Sequence, residues 1–171
     1  MLLESERVRL RPATRDDLST YTRWYAEPEF RYYMGRGDTV RQAVVAPAAN
    51  EVNFSAELKD GRLIGLVMIA QVRTVSRTCG LSDVGIGERD WWDKGYGTEI
   101  VKLALRYCFR ELGMHQVHIV TADFNERARR CYGRIFPHEQ RHRDGGWQDG
   151  RFWDEIYYDI LAEEFDGLEG A

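Results

Sequence analysis

Trp92-Asp93-Lys94-Gly95-Tyr96-Gly97-Thr98 stands between an apolar, strand-like run and a long amphipathic stretch. Gly95 and Gly97 lack a Cβ, so the chain can bend tightly there and let a ligand approach its backbone. The first amides of a following helix have no intrahelical acceptor, and the positive end of the helix dipole lies behind them. Residues of these types at this spacing can cradle a phosphate. The same glycine pair also suits a plain strand-to-helix turn, so the loop alone leaves both readings open. Two nucleotide loops are excluded. A P-loop needs Gly-x-x-x-x-Gly-Lys and then Ser or Thr, a string absent here. The dinucleotide fingerprint needs a third glycine three residues after the second, where this chain has Ile100.

The elements that position this loop can be read from periodicity. Val8-Arg9-Leu10-Arg11 alternates and stops at Pro12, as a first strand would. Thr14 with Asp16 and Asp17 marks a helix start, and Leu18, Tyr21, Trp24 and Tyr25 recur at helical spacing. An aromatic stretch, Phe30 to Met34, separates this helix from a second one expected to start at Thr39-Val40-Arg41-Gln42 and to fade near Pro47. Val52 to Leu58 and Leu63 to Ile69 form a hairpin, and Leu81 to Gly87 is a strand leading into the glycine loop. Thr98 to Leu112 is a helix with one polar stripe, ended by Gly113. Gln116 to Ala122 is a strand, and Asn125 caps a helix running to about Ile135 before Pro137. The carboxyl-terminal part contains His138 to Arg143, a Gly145-Gly146 turn and a strand from Phe152 to Leu161. Strands and helices intermix with hairpins at both ends, so the sheet should be mixed.

At 171 residues the chain suits one domain, with 43% hydrophobic and 30% charged residues. A net charge of -4 argues against general nucleic-acid binding. No apolar run reaches the roughly 20 residues needed to span a bilayer, so no membrane partner is expected. The amino terminus shows no signal peptide. Cys79, Cys108 and Cys131 have no paired spacing, which disfavours disulfides and a metal site and suits a reducing cytoplasm.

Trp91-Trp92-Asp93-Lys94-Gly95-Tyr96-Gly97-Thr98-Glu99 resembles the acetyl-CoA-binding loop of the GNAT superfamily of N-acetyltransferases. That family's pattern is Arg or Gln, two residues, Gly, one residue, then Gly or Ala. Gly95 and Gly97 match, while Trp92 occupies the Arg/Gln place. This departure is similar to the RimJ/RimL-like branch of ribosomal-protein acetyltransferases. Asn125-Glu126-Arg127-Ala128-Arg129-Arg130-Cys131-Tyr132 resembles the family's Asn-x-x-Ala-x-x-x-Tyr helix, and Asp149 to Asp154 resembles a hairpin of the same branch. The chain departs from the family's Leu-Gly-Phe at Ile135-Phe136-Pro137, close to the acceptor cleft.

The resemblance implies an α+β fold over residues 1–171, with its core at about 7–162 and a short acidic tail at 163–171. It implies a central, mostly antiparallel sheet, splayed beside the cofactor strand and flanked by about four helices. Acetyl-CoA is the implied co-substrate, without a metal, and a homodimer is common in the family. The amides of Lys94, Gly95, Tyr96, Gly97 and Thr98 would hold the pyrophosphate. Val84, Gly85 and Ile86 would pair their backbone with the pantetheine arm, and Gly85 and Gly87 would suit a bulged strand. Asn125 would both cap its helix and touch the ligand. Arg130, or another of Arg127, Arg129 and Arg134, would meet the 3′-phosphate. Tyr132 would protonate the departing thiolate.

The implied reaction is direct attack of an amine on the thioester in a ternary complex. Leu81 stands where many relatives carry a glutamate base; Asp83, two residues on and on the same strand face, is the candidate base. Asp123, His118 and Glu155 are weaker rivals, and His115, His138 and His142 read as surface residues. Trp24, Tyr25, Phe30, Tyr32, Tyr33 and the Trp147 to Trp153 segment would build the acceptor pocket. With 28 Asp and Glu, the chain suits a cationic amine without choosing among acceptors: a protein amino terminus, or alternatively a small amine such as a polyamine, aminoglycoside or other antibiotic. A catalytically silent acyl-CoA-binding module is the competing reading.

Overall fold

The computed structural model describes residues 3–34, 42 and 44–169. Eight strands form one sheet: β1 (Leu3–Glu4), β2 (Val8–Pro12), β3 (Val52–Leu58), β4 (Leu63–Arg73), β5 (Thr78–Ile86), β6 (Gln116–Ala122), β7 (His138–Gln148) and β8 (Arg151–Leu161). Their order is β1-β2-β3-β4-β5-β6-β8-β7. Only β5 and β6 run parallel; the other neighbours are antiparallel. Five helices are described: α1 (Leu18–Ala26), α2 (Pro28–Met34), α3 (Tyr96–Arg106), α4 (Glu126–Tyr132) and α5 (Ala162–Glu169). This is the mixed, mostly antiparallel α+β sheet expected above.

Adjacent residues of β4 point to opposite faces and so bind two helical layers. Val67 and Ile69 join the main core with Ile100, Val101, Leu103, Ala104 and Leu105 of α3. Leu66 joins a smaller cluster of Tyr21, Trp24, Tyr25 and Phe30 from α1 and α2. At the start of α1, Asp17 turns inward: its carboxylate accepts from the Thr14 amide (2.8 Å), the Ser55 hydroxyl (2.7 Å) and both ends of the Arg11 guanidinium (2.7 and 2.8 Å).

The sheet opens between β5 and β6. Their pairing covers Thr78 to Leu81 against Gln116 to Ile119 and then stops. β6 stays paired with β8 as far as Ala122. β5 stays paired with β4 as far as Ile86. The two strands therefore diverge, and Ser82 to Ile86 has a free edge.

Several local expectations change. The aromatic stretch Phe30 to Met34 is helical, because Pro28 opens α2 where its missing N–H costs nothing. Most of the Thr39-Val40-Arg41-Gln42 capping box lies outside the described residues; Gln42, Val44 and Val45 are helical. α3 begins at Tyr96, earlier than expected, and passes into one wide π-type turn, Tyr107–Glu111. Gly145 and Gly146 make no turn: they sit inside β7 at a register shift, because Glu155 and Trp153 pack where their Cβ atoms would be. The reversal comes at Asp149 and Gly150, both with positive φ. The acidic end forms α5, with Phe165 buried beside Phe109 at 5.1 Å.

Candidate active site at the splayed strands

The glycine loop is built as the residue types require. Gly95 has φ 84° and caps α3, a conformation that L side chains rarely adopt. The first intrahelical bond runs from Glu99 N–H to Gly95 O (3.2 Å). The amides of Tyr96, Gly97 and Thr98 therefore precede the helical ladder and have no intrahelical acceptor. Gly97 has an ordinary φ, and a Cβ added there would meet nothing within 4 Å. The fold itself does not demand glycine at 97, and the space above its backbone is open. That space suits a bulky anion lying directly on the peptide nitrogens.

Sequence reasoning missed the residue that braces this loop. Arg7, between β1 and β2, donates from Nη1 to Lys94 O (3.1 Å) and pairs with Glu99, its guanidinium lying 4.6 Å from the centre of the Tyr96 ring. Ser5 Oγ also donates to Glu99 (2.5 Å). No local pattern announces a contact across some ninety residues. The Lys94 ammonium lies 5.4 Å from the centre of the Trp91 ring.

The free edge of β5 continues the path. Gly87 N–H donates to Ile64 O on the β4 side (2.9 Å). Backbone groups alternate along a strand, so Val84 and Ile86 turn theirs towards the open edge, while Gly85 turns its own to β4. The indole N–H of Trp92 takes Ile86 O (2.7 Å). The Ile86 amide and both backbone groups of Val84 remain for a ligand running along the edge. Gly85 and Gly87 serve packing instead: a Cβ on Gly85 would meet Met34 and Phe30, and one on Gly87 would meet Trp24. The bulge lies at Asp83, whose φ is 47° and where β5 carries one residue more than β4. It breaks the alternation that placed Asp83 on the face of Leu81.

Two cavities meet at the splay. One, of about 310 Å³, is lined by Trp92, Gly95, Gly97, Thr98 and Arg134 among others. The other, of about 270 Å³, is lined by Gln71, Ser82, Asp83, His118 and Thr121 among others. Tyr33, Met34, Val84, Asn125 and Tyr132 line both. The Tyr132 ring is buried against Tyr158 and Phe136, at 5.9 and 6.1 Å between centroids. Its hydroxyl makes no hydrogen bond to the described residues. Burial pushes the phenol above its ordinary pKa, so it holds its proton throughout the physiological range. Asn125 Oδ1 caps α4 by accepting from Ala128 N–H (3.2 Å).

Among the described residues, Asp83 is the sole carboxylate lining the second cavity. Burial pushes its carboxyl up to about 6, partly offset by the neighbouring Tyr25 hydroxyl. That hydroxyl and Ser82 Oγ are themselves buried without a completed hydrogen bond. His118 sits where β5 and β6 still pair, beside Gly80, and burial pushes its imidazole down. Asp123 and Glu155 line neither cavity; Glu155 accepts from the Tyr157 hydroxyl (3.2 Å).

Arg130 lines the first cavity and pairs with Asp93 (3.6 Å) and Glu126 (3.7 Å), while Arg129 donates to Asp123 O (3.2 Å). Trp24, Tyr25 and Phe30 belong to the core between α1, α2 and the sheet. Trp147 and Phe152 stack on each other, exposed, near the β7–β8 turn. Ile135 and Phe136 are buried and line neither cavity, so the departure from Leu-Gly-Phe falls in the core.

Residues 7–135 match the model of the acetyltransferase (GNAT) domain. The Bacillus subtilis (strain 168) protein YdaF, ascribed a ribosomal N-acetyltransferase role, is 31% identical over 112 residues. That match spans 64% of this chain and 60% of YdaF. A spermidine N-acetyltransferase from Vibrio cholerae in complex with CoA and spermine superposes with a TM-score of 0.80 at 19% identity, over 94% of this chain and 99% of its own. A mutant form of the spermidine N-acetyltransferase SpeG, from the same organism, gives 0.81 at 21% identity, over 96% and 99%. No helix among the described residues is long and apolar enough to cross a membrane. The chain belongs to the acetyltransferase (GNAT) domain family.

Proposed function

We propose that the protein is an acetyl-CoA-dependent N-acetyltransferase acting on a single-amine acceptor, with a protein amino terminus as the best-fitting class. One observation carries this reading: a phosphate-competent loop and a cavity holding one half-buried carboxylate meet at Tyr132. The CoA pyrophosphate rests on the amides of Gly95 to Thr98, and the pantetheine arm lies along Val84 and Ile86. The thioester then reaches the junction of the two cavities.

The acceptor enters the second cavity as an ammonium. Asp83, ionised above about pH 6, removes one proton to give the neutral amine. The nitrogen attacks the thioester carbonyl; an N–C bond forms, the C–S bond breaks, and the surplus proton on the nitrogen passes to the sulfur, which leaves as the CoA thiol. Tyr132 donates a hydrogen bond to the departing sulfur. Its raised pKa makes it a donor to the thiolate more than a source of a fully transferred proton. Holding both reactants at one junction supplies the proximity that a direct transfer needs.

The acceptor class follows from charge. A polyamine carries several cations and calls for several carboxylates, whereas among the described residues only Asp83 lines this cavity. The ribosomal role ascribed to YdaF favours the same choice. A polyamine, as named for the Vibrio structures, or an aminoglycoside is the second reading. A silent CoA-binding module would need neither Asp83 in the second cavity nor Tyr132 at the junction. The test is thiol release from acetyl-CoA with peptides bearing free amino termini, spermidine and aminoglycosides. Turnover with peptides supports the proposal, turnover confined to polyamines overturns the acceptor, and CoA binding without turnover on any amine overturns the enzyme.

A further inference from the structure

Arg127 has a different setting from the other α4 cations. Its guanidinium carbon lies 3.8 Å from the centre of the Trp92 ring and 4.9 Å from that of Tyr33. A Glu29 oxygen stands 3.6 Å from its Nη2. Glu29 also pairs with Arg89, which lies 5.7 Å from the Trp92 ring. One cation thus joins three pieces: α4, the acceptor-side helix α2, and the loop that follows β5. The cross-link sits where the strands diverge, and the Trp92 indole it touches is the one bonded to Ile86 O. A guanidinium can stack on rings through its faces while its edge pairs with a carboxylate; an ammonium cannot do both as well.

The geometry points to Arg127 as a positioning residue for the cofactor. It clamps Trp92 against the free edge of β5 and so sets the width of the slot that receives the pantetheine arm. This rests on the acetyl-CoA reading of the site. With rings against its guanidinium and Glu29 at its edge, Arg127 does not serve the 3′-phosphate, which separates this role from that of a phosphate ligand.

The test is calorimetric binding of CoA and of 3′-dephospho-CoA to the wild-type protein, Arg127→Met, Arg127→Lys and Trp92→Phe. Arg127→Met should weaken both ligands by the same factor, about tenfold, and raise KM for acetyl-CoA with kcat little changed. Arg127→Lys should recover part of the loss. Trp92→Phe keeps a ring but loses the bond to Ile86 O; it should also weaken both ligands equally, and it decides the matter if Arg127→Met fails to fold. Loss confined to CoA would make Arg127 a phosphate ligand and overturn the inference. Unchanged affinity in both Arg127→Met and Trp92→Phe would overturn it as well. A wild-type protein that binds neither ligand would instead bring down the cofactor reading itself, and this clamp with it.

Discussion

Asp83→Asn should make the protein more stable and less active. Raising the carboxyl from its ordinary 3.8 to about 6 means that keeping it ionised costs the folded state about 3 kcal/mol. The carboxyl releases its proton later in the folded protein than in the unfolded chain. Wild-type stability contributed by this group is therefore complete below about pH 4 and lost as pH rises through about 6. Asparagine keeps the shape and drops the charge, so the variant does not share that loss. Thermal unfolding followed by circular dichroism should show nearly equal Tm values at pH 4. At pH 8 the variant should melt higher, by about 5–10 °C for a chain of this size. Steady-state assays at pH 8 should find kcat lower by about a hundredfold. In the wild type, kcat/KM should rise with pH through a step near 6, and that step should vanish in the variant. A variant that melts lower at both pH values, or one with undiminished turnover, refutes the account of Asp83 as a costly, half-buried base.

Tyr132→Phe should lower kcat by about a hundredfold with little change in CoA affinity by calorimetry, since the ring keeps its packing against Phe136 and Tyr158; unchanged turnover would remove it as the donor to sulfur. Gly97→Ala should fold at least as well as the wild type, because its Cβ meets no protein atom and alanine favours helix. The same change should cost about tenfold or more in CoA affinity, and equal affinity in the two proteins would put the diphosphate elsewhere. Burial would raise the Asp17 carboxyl, but hydrogen bonds from Arg11, Ser55 and Thr14 outweigh it and hold it at about 2. The stability it contributes is present above about pH 4 and lost as pH falls towards 2, so Asp17→Asn should destabilise by about 3 kcal/mol at neutral pH and much less at pH 2. Urea melts at the two pH values check this.

The parts of the fold that could be read in the sequence are those set by local rules. Gln116 to Ile119 alternates between polar and apolar residues, and the β-branched run on to Ala122 completes β6 within the expected bounds. Gly95 stands where a positive φ is required, and Asn125 stands at the start of a helix it caps. What escaped was decided by contacts distant in sequence. The bulge at Asp83 comes from pairing with β4, at a residue type with no need to bulge. Gly146 resembles a turn residue, yet it is small because the Trp153 ring covers it. Arg7 carries no local signal and Arg127 is one of four cations on a short helix; one braces the glycine loop and the other stacks on Trp92 only once β1, α2 and α4 are brought together. At the site, residue types therefore pointed to the loop, while the junction of two cavities and the half-buried setting of Asp83 required three-dimensional packing.

The central claim is that a diphosphate lies on the peptide nitrogens opening α3, with the thioester delivered to Tyr132. Amide-resolved NMR during titration with CoA tests it most directly. The account predicts large shifts at the Gly95, Tyr96, Gly97 and Thr98 amides, with smaller ones at Val84 and Ile86. Saturable CoA binding that leaves those amides unmoved would contradict it.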